Sequence, residues 1–272
     1  MAEIKKGKRM KRLIQKKLKK TKENLYYILS ALMIGLIVGG IDALFGRVLI
    51  AITDFRGRYI QIFIWFLPIA GLFICWMYHR FNEMSLKGMT LVLETAQGKR
   101  ADIPLALVPL VMVGTWITHL FGGSAGREGV AVQIGATLSH WFARRFKFAD
   151  NRTILLIAGM AAGFGGLFQT PFAAVFFAME VVVTGKMLYQ AFLPSLVAAV
   201  TASTFSNALG LEKFAVPLKQ SFNLSESKTM FYMVILGVSF GLTGRVFSVL
   251  LKRAKAFMGE KLANPYKRIG FV

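Results

Sequence analysis

A polytopic, all-helical membrane protein is the fold class this sequence predicts, and three observations predict it. The 272 residues are 55% hydrophobic and only 17% charged, with a mean hydropathy of +0.55. Soluble domains run at about 45–50% apolar and about 25% charged. Apolar segments of membrane length then recur along the chain, and a bilayer core takes about 20 helical residues to cross. Finally, charge is lopsided: 34 Lys and Arg face 13 Asp and Glu, a net of +21. A basic balance fits nucleic-acid binding or basic cytoplasmic loops, and the hydropathy favours the loops. Disorder is excluded by the same composition. The single cysteine, Cys75, lies in an apolar run, so no intrachain disulfide can form.

Residues 1–24 form a basic tail with eleven Lys/Arg and two acids, Glu3 and Glu23. It reads as a solvated cytoplasmic segment, with Leu13 and Leu18 as a weak stripe toward anionic lipid. No aromatic interleaving supports a nucleic-acid arm. The first span is expected at 26–52, long enough to cross while tilted, and the second at 60–78. The third, 103–121, carries Pro104 in its first turn, where proline is favoured. Shorter apolar segments follow at 129–142, 153–168 and 172–184, and longer ones at 188–209 and 230–251. The short middle segments are broken by glycine and proline. Interrupted membrane helices point to a binding site at membrane depth, because non-helical backbone there must line protein or water. Gly35/Gly39 and Gly159/Gly163 have GxxxG spacing, which reads best as close helix packing.

Three acids stand in apolar context: Asp42, Glu128 and Glu180. A carboxylate there costs several kcal/mol, on the order of 3, unless paired or protonated. Asp42 has Arg47 five residues on, and an ordinary pairing or an interface position is expected. Glu128 stands in Gly122-Gly123-Ser124-Ala125-Gly126-Arg127-Glu128-Gly129, just ahead of an apolar segment. Glycines before a helix leave its first N–H groups open, and those groups with the helix dipole attract an anion. A carboxylate on the same turn can take the anion's place, and protonation would release it. Spacing alone leaves two readings open, a site where anion and proton compete, and a helix-capping glutamate. Glu180 closes an apolar helix begun at Pro171. It fits proton carriage, pairing with a base or holding backbone N–H groups, with a structural or electrostatic role favoured.

The stretch GGSAGREGVAVQIGA resembles the GREGP signature of the CLC chloride channels and proton-coupled antiporters. AGMAAGFGGLFQTPFAAVFFAMEVV resembles the next signature of that family, and the two stand in the family's order. The resemblance runs from about Leu25 to the C-terminus. It implies an all-helical fold of inverted repeats and a homodimer with one pore per subunit. It further implies that Glu128 is the gating glutamate that anions displace, and that Gly126, Arg127 and Gly129 belong to the loop whose backbone N–H groups hold the anion. Val130 replaces the proline that usually follows. The family's first anion motif, GSGIP, should lie on the loop before 103–121. Gly88-Met89-Thr90-Leu91-Val92 stands there, without the serine and the proline. Such departures look like the fluoride/proton antiporter branch, with Met89 in the serine's place and Thr90 a polar contact. Glu180 matches the acid at the helix end, but Val181 stands where many chloride antiporters carry a proton-transferring glutamate. Proton coupling would then depend on Glu128 by another route.

On this resemblance the chain divides into the tail at 1–24, a first repeat at 25–228, and the opening helix of a second repeat at 229–272, with most of that repeat absent. The function implied is proton-coupled fluoride or chloride antiport in the cell membrane, with the N-terminus cytoplasmic and no nucleic-acid partner. The alternative is a truncated, non-transporting fragment, or a half-transporter needing a partner chain. An enzyme has little support. There is no HExxH or phosphate loop, and neither metal nor cofactor is expected. His79, His119 and His140 lie near span ends. Gly122, Ser124 and Gly126 fit a nucleophile-elbow spacing, but a membrane-length segment precedes them instead of a buried strand.

Overall fold

The computed structural model describes residues 2–146, 152–183, 185–213 and 226–261, and all regular structure among them is helical. Helix α1 (Ala2–Phe63) is continuous through residues 53–59, where a break between two spans was expected. No proline interrupts that stretch, and Thr53 bonds back to Leu49 O at 2.8 Å. Arg56 reaches out instead of breaking the helix, donating to His119 O at 3.3 Å. The interruption comes where Pro68 has no N–H to offer Ile64 O. A 3-10 turn (Ile64–Phe66) forms there, and Leu67 N–H takes the Ile64 carbonyl. Helix α2 (Leu67–Phe81) then starts with Pro68 in its first turn. Asn82 caps the next 3-10 turn (Glu83–Lys87) by accepting from Ser85 N–H at 3.0 Å.

Helix α3 (Met89–Ala96) follows, where the sequence suggested only a loop. Then come α4 (Leu107–Leu120), α5 (Glu128–Arg145), α6 (Arg152–Phe168), α7 (Pro171–Val181), α8 (Phe192–Ala208) and α9 (Ser227–Lys261). Three segments are long and apolar enough to cross a membrane: Thr21–Phe81, Tyr189–Ala208 and Ser227–Lys261. Helices α4, α6 and α7 are apolar but shorter.

The chain forms two units, Met1–Lys213 and Phe214–Val272. In the first, α6 is the central element. Every residue from Ile154 to Gly163 is buried, as expected of a helix apolar on all sides. It packs against α1, α5, α7 and α8. Small residues permit this closeness. A Cβ on Gly135 of α5 would strike the Gly159 carbonyl of α6, and one on Gly163 would strike the Ala131 carbonyl. On the other side, a Cβ at Gly35 or Gly39 of α1 would come within 2.7 Å of the Ala198 or Ala202 carbonyl of α8. Both GxxxG pairs are therefore packing surfaces, as their spacing suggested. The second unit holds α9, a single 35-residue helix.

Buried hydroxyls satisfy the helices that carry them. Thr95, Thr115 and Thr137 donate to the carbonyls of Leu91, Val111 and Gln133 at 2.7–2.9 Å. Ser206 of α8 crosses to Gly166 O of α6 at 2.6 Å. Asp42 is fully buried, and its oxygens find no hydrogen-bond partner among the described residues. The pairing with Arg47 does not form, and Arg47 donates to Leu209 O at 3.1 Å instead. Residues five apart on a helix point about 140° apart, which separates the two side chains. Asp42 Oδ2 lies against Gly166, 2.5 Å from where a Cβ would stand.

At the far end of α5, Arg144 is ion-paired with Asp102. Asp102 Oδ1 also stands 3.3 Å from Nε2 of buried His140. Partial burial pushes the Asp102 carboxyl up, but the Arg144 guanidinium outweighs it and holds the group below its ordinary range. A carboxylate so depressed stabilises the fold above the unfolded aspartate value of about 3.9 and loses that contribution as pH falls through the folded value. Asp102 is 54% exposed, so solvent screening limits the effect to about 0.2–1 kcal/mol. Asp102→Asn is expected to melt slightly below wild type at pH 7, with the gap closing as pH falls through the folded Asp102 value. Equal melting throughout that range would show the pair to be inert.

Candidate functional site

The site forms where the starts of α3 and α5 meet. Helix α4 ends at Leu120, and Gly122 turns the chain with φ +80°, a left-handed conformation that favours glycine. The N–H groups of Phe121, Gly122 and Gly123 close the α4 carbonyls of Ile117, His119 and Thr118 at 2.8–3.2 Å. The chain then runs through Ser124–Arg127 without regular structure, and α5 begins at Glu128.

Arg127 is the N-cap, and no side chain caps the helix. Ala131 is the first residue bonded back, its N–H donating to Arg127 O at 3.0 Å. The N–H groups of Glu128, Gly129 and Val130 are therefore the open ones at the positive end of an 18-residue helix. The Glu128 side chain is exposed and folds back over this turn. Its Oε2 lies 2.8 Å from where a Cβ of Gly126 would stand. A side chain at Gly126 would push the carboxylate aside from this position. The Arg127 guanidinium lies 5.9 Å from the Phe168 ring centroid, so the side chain is engaged with the end of α6.

Gly88 opens α3 with φ +50° and ψ −123°. Leu91 N–H bonds to Gly88 O at 3.1 Å, which leaves the Met89 and Thr90 N–H groups open at the helix start. The Met89 side chain packs against the main core cluster, and Thr90 is exposed. Gln133 of α5 joins the two helix starts. Its Oε1 lies 3.4 Å from a Gly88 Cβ position and its Nε2 3.7 Å from that of Gly129. Sequence reading did not single out Gln133. The available signal was an amide within the apolar run VAVQIGA.

Of the expected residues, Gly88, Met89, Gly126, Glu128 and Gly129 come from two helix starts drawn together around Gln133. Glu180 lies elsewhere. It is exposed, next to last in α7. The carbonyl of Val182, just beyond that helix, accepts from Gln97 at 2.8 Å. Gln97 caps the C-terminal end of α3, so Glu180 sits toward the opposite end of α3 from Gly88, a helix length of about 12 Å. The break between α6 and α7 is held by Gln169, in a left-handed conformation with φ 53°. Its amide donates to Leu211 O and accepts from Asn207 at 2.9 Å, which satisfies polar groups where the helix is interrupted. Among the described residues, no three His, Cys, Asp or Glu stand together as a metal ion requires.

The family model described as voltage gated chloride channel matches residues 70–272. A chloride/fluoride channel protein of Pseudomonas syringae pv. tomato is 34% identical over 227 residues, 83% of this chain and 50% of that protein. The voltage-gated ClC-type chloride channel ClcB of Salmonella typhimurium is 25% identical over 201 residues, 73% of this chain and 47% of that one. The crystal structure of a CLC-type fluoride/proton antiporter superposes with a TM-score of 0.86 at 44% identity, covering 92% of this chain and 63% of that one. A slow cyanobacterial chloride/proton antiporter shares the fold, with a TM-score of 0.73 at 22% identity and coverage of 89% and 61%. The chain spans about half the length of the curated relatives it matches.

Proposed function

The chain belongs to the voltage-gated chloride channel (CLC) family, and from that premise we propose that it serves a proton-coupled anion antiporter that prefers fluoride to chloride, with Glu128 as the gate. The observation that carries this reading is the Glu128 carboxylate lying over Gly126, at the open N–H groups of α5. An anion and a carboxylate compete for such a position because both are drawn by the same N–H donors and the same helix dipole. Protonation cancels the carboxylate's charge, and the anion then has the donors to itself. Movement of the acid away from the turn carries its proton in exchange for the anion.

Fluoride is small and strongly hydrated, so it needs strong donors in place of its water. The open N–H groups of α3 and α5 supply them. Similarity to the fluoride/proton antiporter over 92% of this chain supports fluoride as the favoured anion. Met89, where the family resemblance leads one to expect serine, supports it as well. Gly88, Met89 and Thr90 contribute on the α3 side, and Gly126, Arg127 and Gly129 through their backbone on the α5 side. Glu180 takes a structural part.

The protein acts in the cell membrane with its basic N-terminus in the cytoplasm. It acts as a homodimer, and the exposed aromatic face of Phe172, Phe176 and Phe192 supports an interface at α7 and α8. In liposomes loaded with potassium fluoride, efflux through the protein is expected to drive protons inward, and chloride is expected to move more slowly. Chloride moving equally well with no proton following would remove the fluoride antiport reading.

A further inference from the structure

A buried polar side chain in an apolar helix needs a partner, because its desolvation is otherwise uncompensated. Gln133 is 8% exposed, and its neighbours on α5 are Val132 and Ile134, both fully buried. Its amide is bonded to no other described residue, yet it is not sealed away as the Asp42 carboxylate is, so it can reach a ligand, whereas the nearby Thr137 hydroxyl is satisfied by Gln133's own backbone carbonyl. The amide is held between two helix starts. Oε1 faces Gly88, the N-cap of α3, at 3.4 Å from a Cβ position there, and Nε2 lies 3.7 Å from that of Gly129. Both glycines thus stand at ordinary van der Waals distance from the amide, which lies between the two helix starts.

The polarity of this arrangement has a direction. The positive end of α3 suits the carbonyl-like Oε1. The Nε2–H donors then face the first turn of α5, where Glu128 and its open N–H groups stand. A glutamine supplies those donors without a charge, so it strengthens an anion site without trapping the anion in an ion pair.

We propose that the Gln133 side-chain amide is a direct ligand of the transported anion: Nε2–H donates to the anion that displaces Glu128, while Oε1 is fixed by the N-terminus of α3. This rests on the antiport reading above, and it adds a side-chain donor from inside α5 to a site otherwise made of backbone.

The test uses the full-length protein with sodium fluoride and sodium chloride as probes, by calorimetric titration in detergent and by flux in liposomes. Gln133→Met keeps the length and removes the donors. Loss of a hydrogen bond to a charged group is expected to weaken fluoride binding about tenfold or more, with elution profile and anion-free melting unchanged. Wild-type fluoride affinity in Gln133→Met overturns the proposal. So does a change confined to anion-free melting, which is what a purely packing role gives. Should Gln133→Met aggregate, Gln133→Asn, whose amide is withdrawn by one methylene, is read in the same way. The two readings separate cleanly. If wild type exchanges fluoride for protons and Gln133→Met binds normally, only the Gln133 inference fails. If wild type neither binds nor moves fluoride or chloride, both fail.

Discussion

Glu128→Gln is expected to abolish proton coupling while anion movement continues. Glutamine has nearly the shape of glutamate, so the turn over Gly126 is kept. Its amide neither titrates nor carries charge. The variant therefore cannot deliver a proton, and it competes more weakly with an anion for the N–H groups of Glu128, Gly129 and Val130. In liposomes, fluoride efflux from the variant should no longer acidify the interior beyond protein-free liposomes, with efflux as fast as in wild type or faster. If Val181 stands, as the family resemblance implies, where many chloride antiporters carry an acid, no second route remains and the loss is expected to be complete. Coupling at the wild-type level in Glu128→Gln would remove Glu128 from the mechanism.

Gly135→Val is expected to prevent folding of the first unit. A Cβ at position 135 would overlap the Gly159 carbonyl oxygen and come within 2.8 Å of Gly159 C and 2.9 Å of Gly163 N. These neighbours are backbone atoms of a buried helix, so no rotamer change relieves the clash. Ordinary overpacking costs about 1–3 kcal/mol, and separating α5 from α6 costs more, because it opens the central contact of the unit. The measurement is the yield of monodisperse protein after membrane extraction, expected to fall to near zero. Gly57 of α1 is the control. Nothing lies within 4 Å of a Cβ there, so Gly57→Ala should be neutral or stabilising by up to about 1 kcal/mol. A normal yield from Gly135→Val would mean that the two helices do not rely on this contact.

Several features were legible because they depend on neighbours in sequence. The five apolar segments between 103 and 209 became helices with boundaries within a few residues of those expected. Pro171 starts α7 as a first-turn proline, and Glu128 falls at the first residue of α5. The GxxxG pairs pack closely because residues four apart share one helix face. Helix α3 was less visible, because eight residues after a glycine carry little periodic signal. Continuity of α1 through 53–59 was hidden by its charged residues, which read as a loop until Arg56 is seen to serve a carbonyl of α4.

The sequence by itself determined the membrane class, the basic tail and the placing of a carboxylate at a glycine-led helix start, all of which follow from composition and local order. Only the tertiary structure decided which helix starts lie together. Gly88 and Gln133 are distant in the chain, and their meeting follows from how α3 and α5 pack. Helix phase turns Arg47 away from Asp42 and toward the Leu209 carbonyl. Glu180, on α7, lies toward the opposite end of α3 from Gly88. These outcomes depend on three-dimensional packing, whose contacts join residues that no local pattern relates.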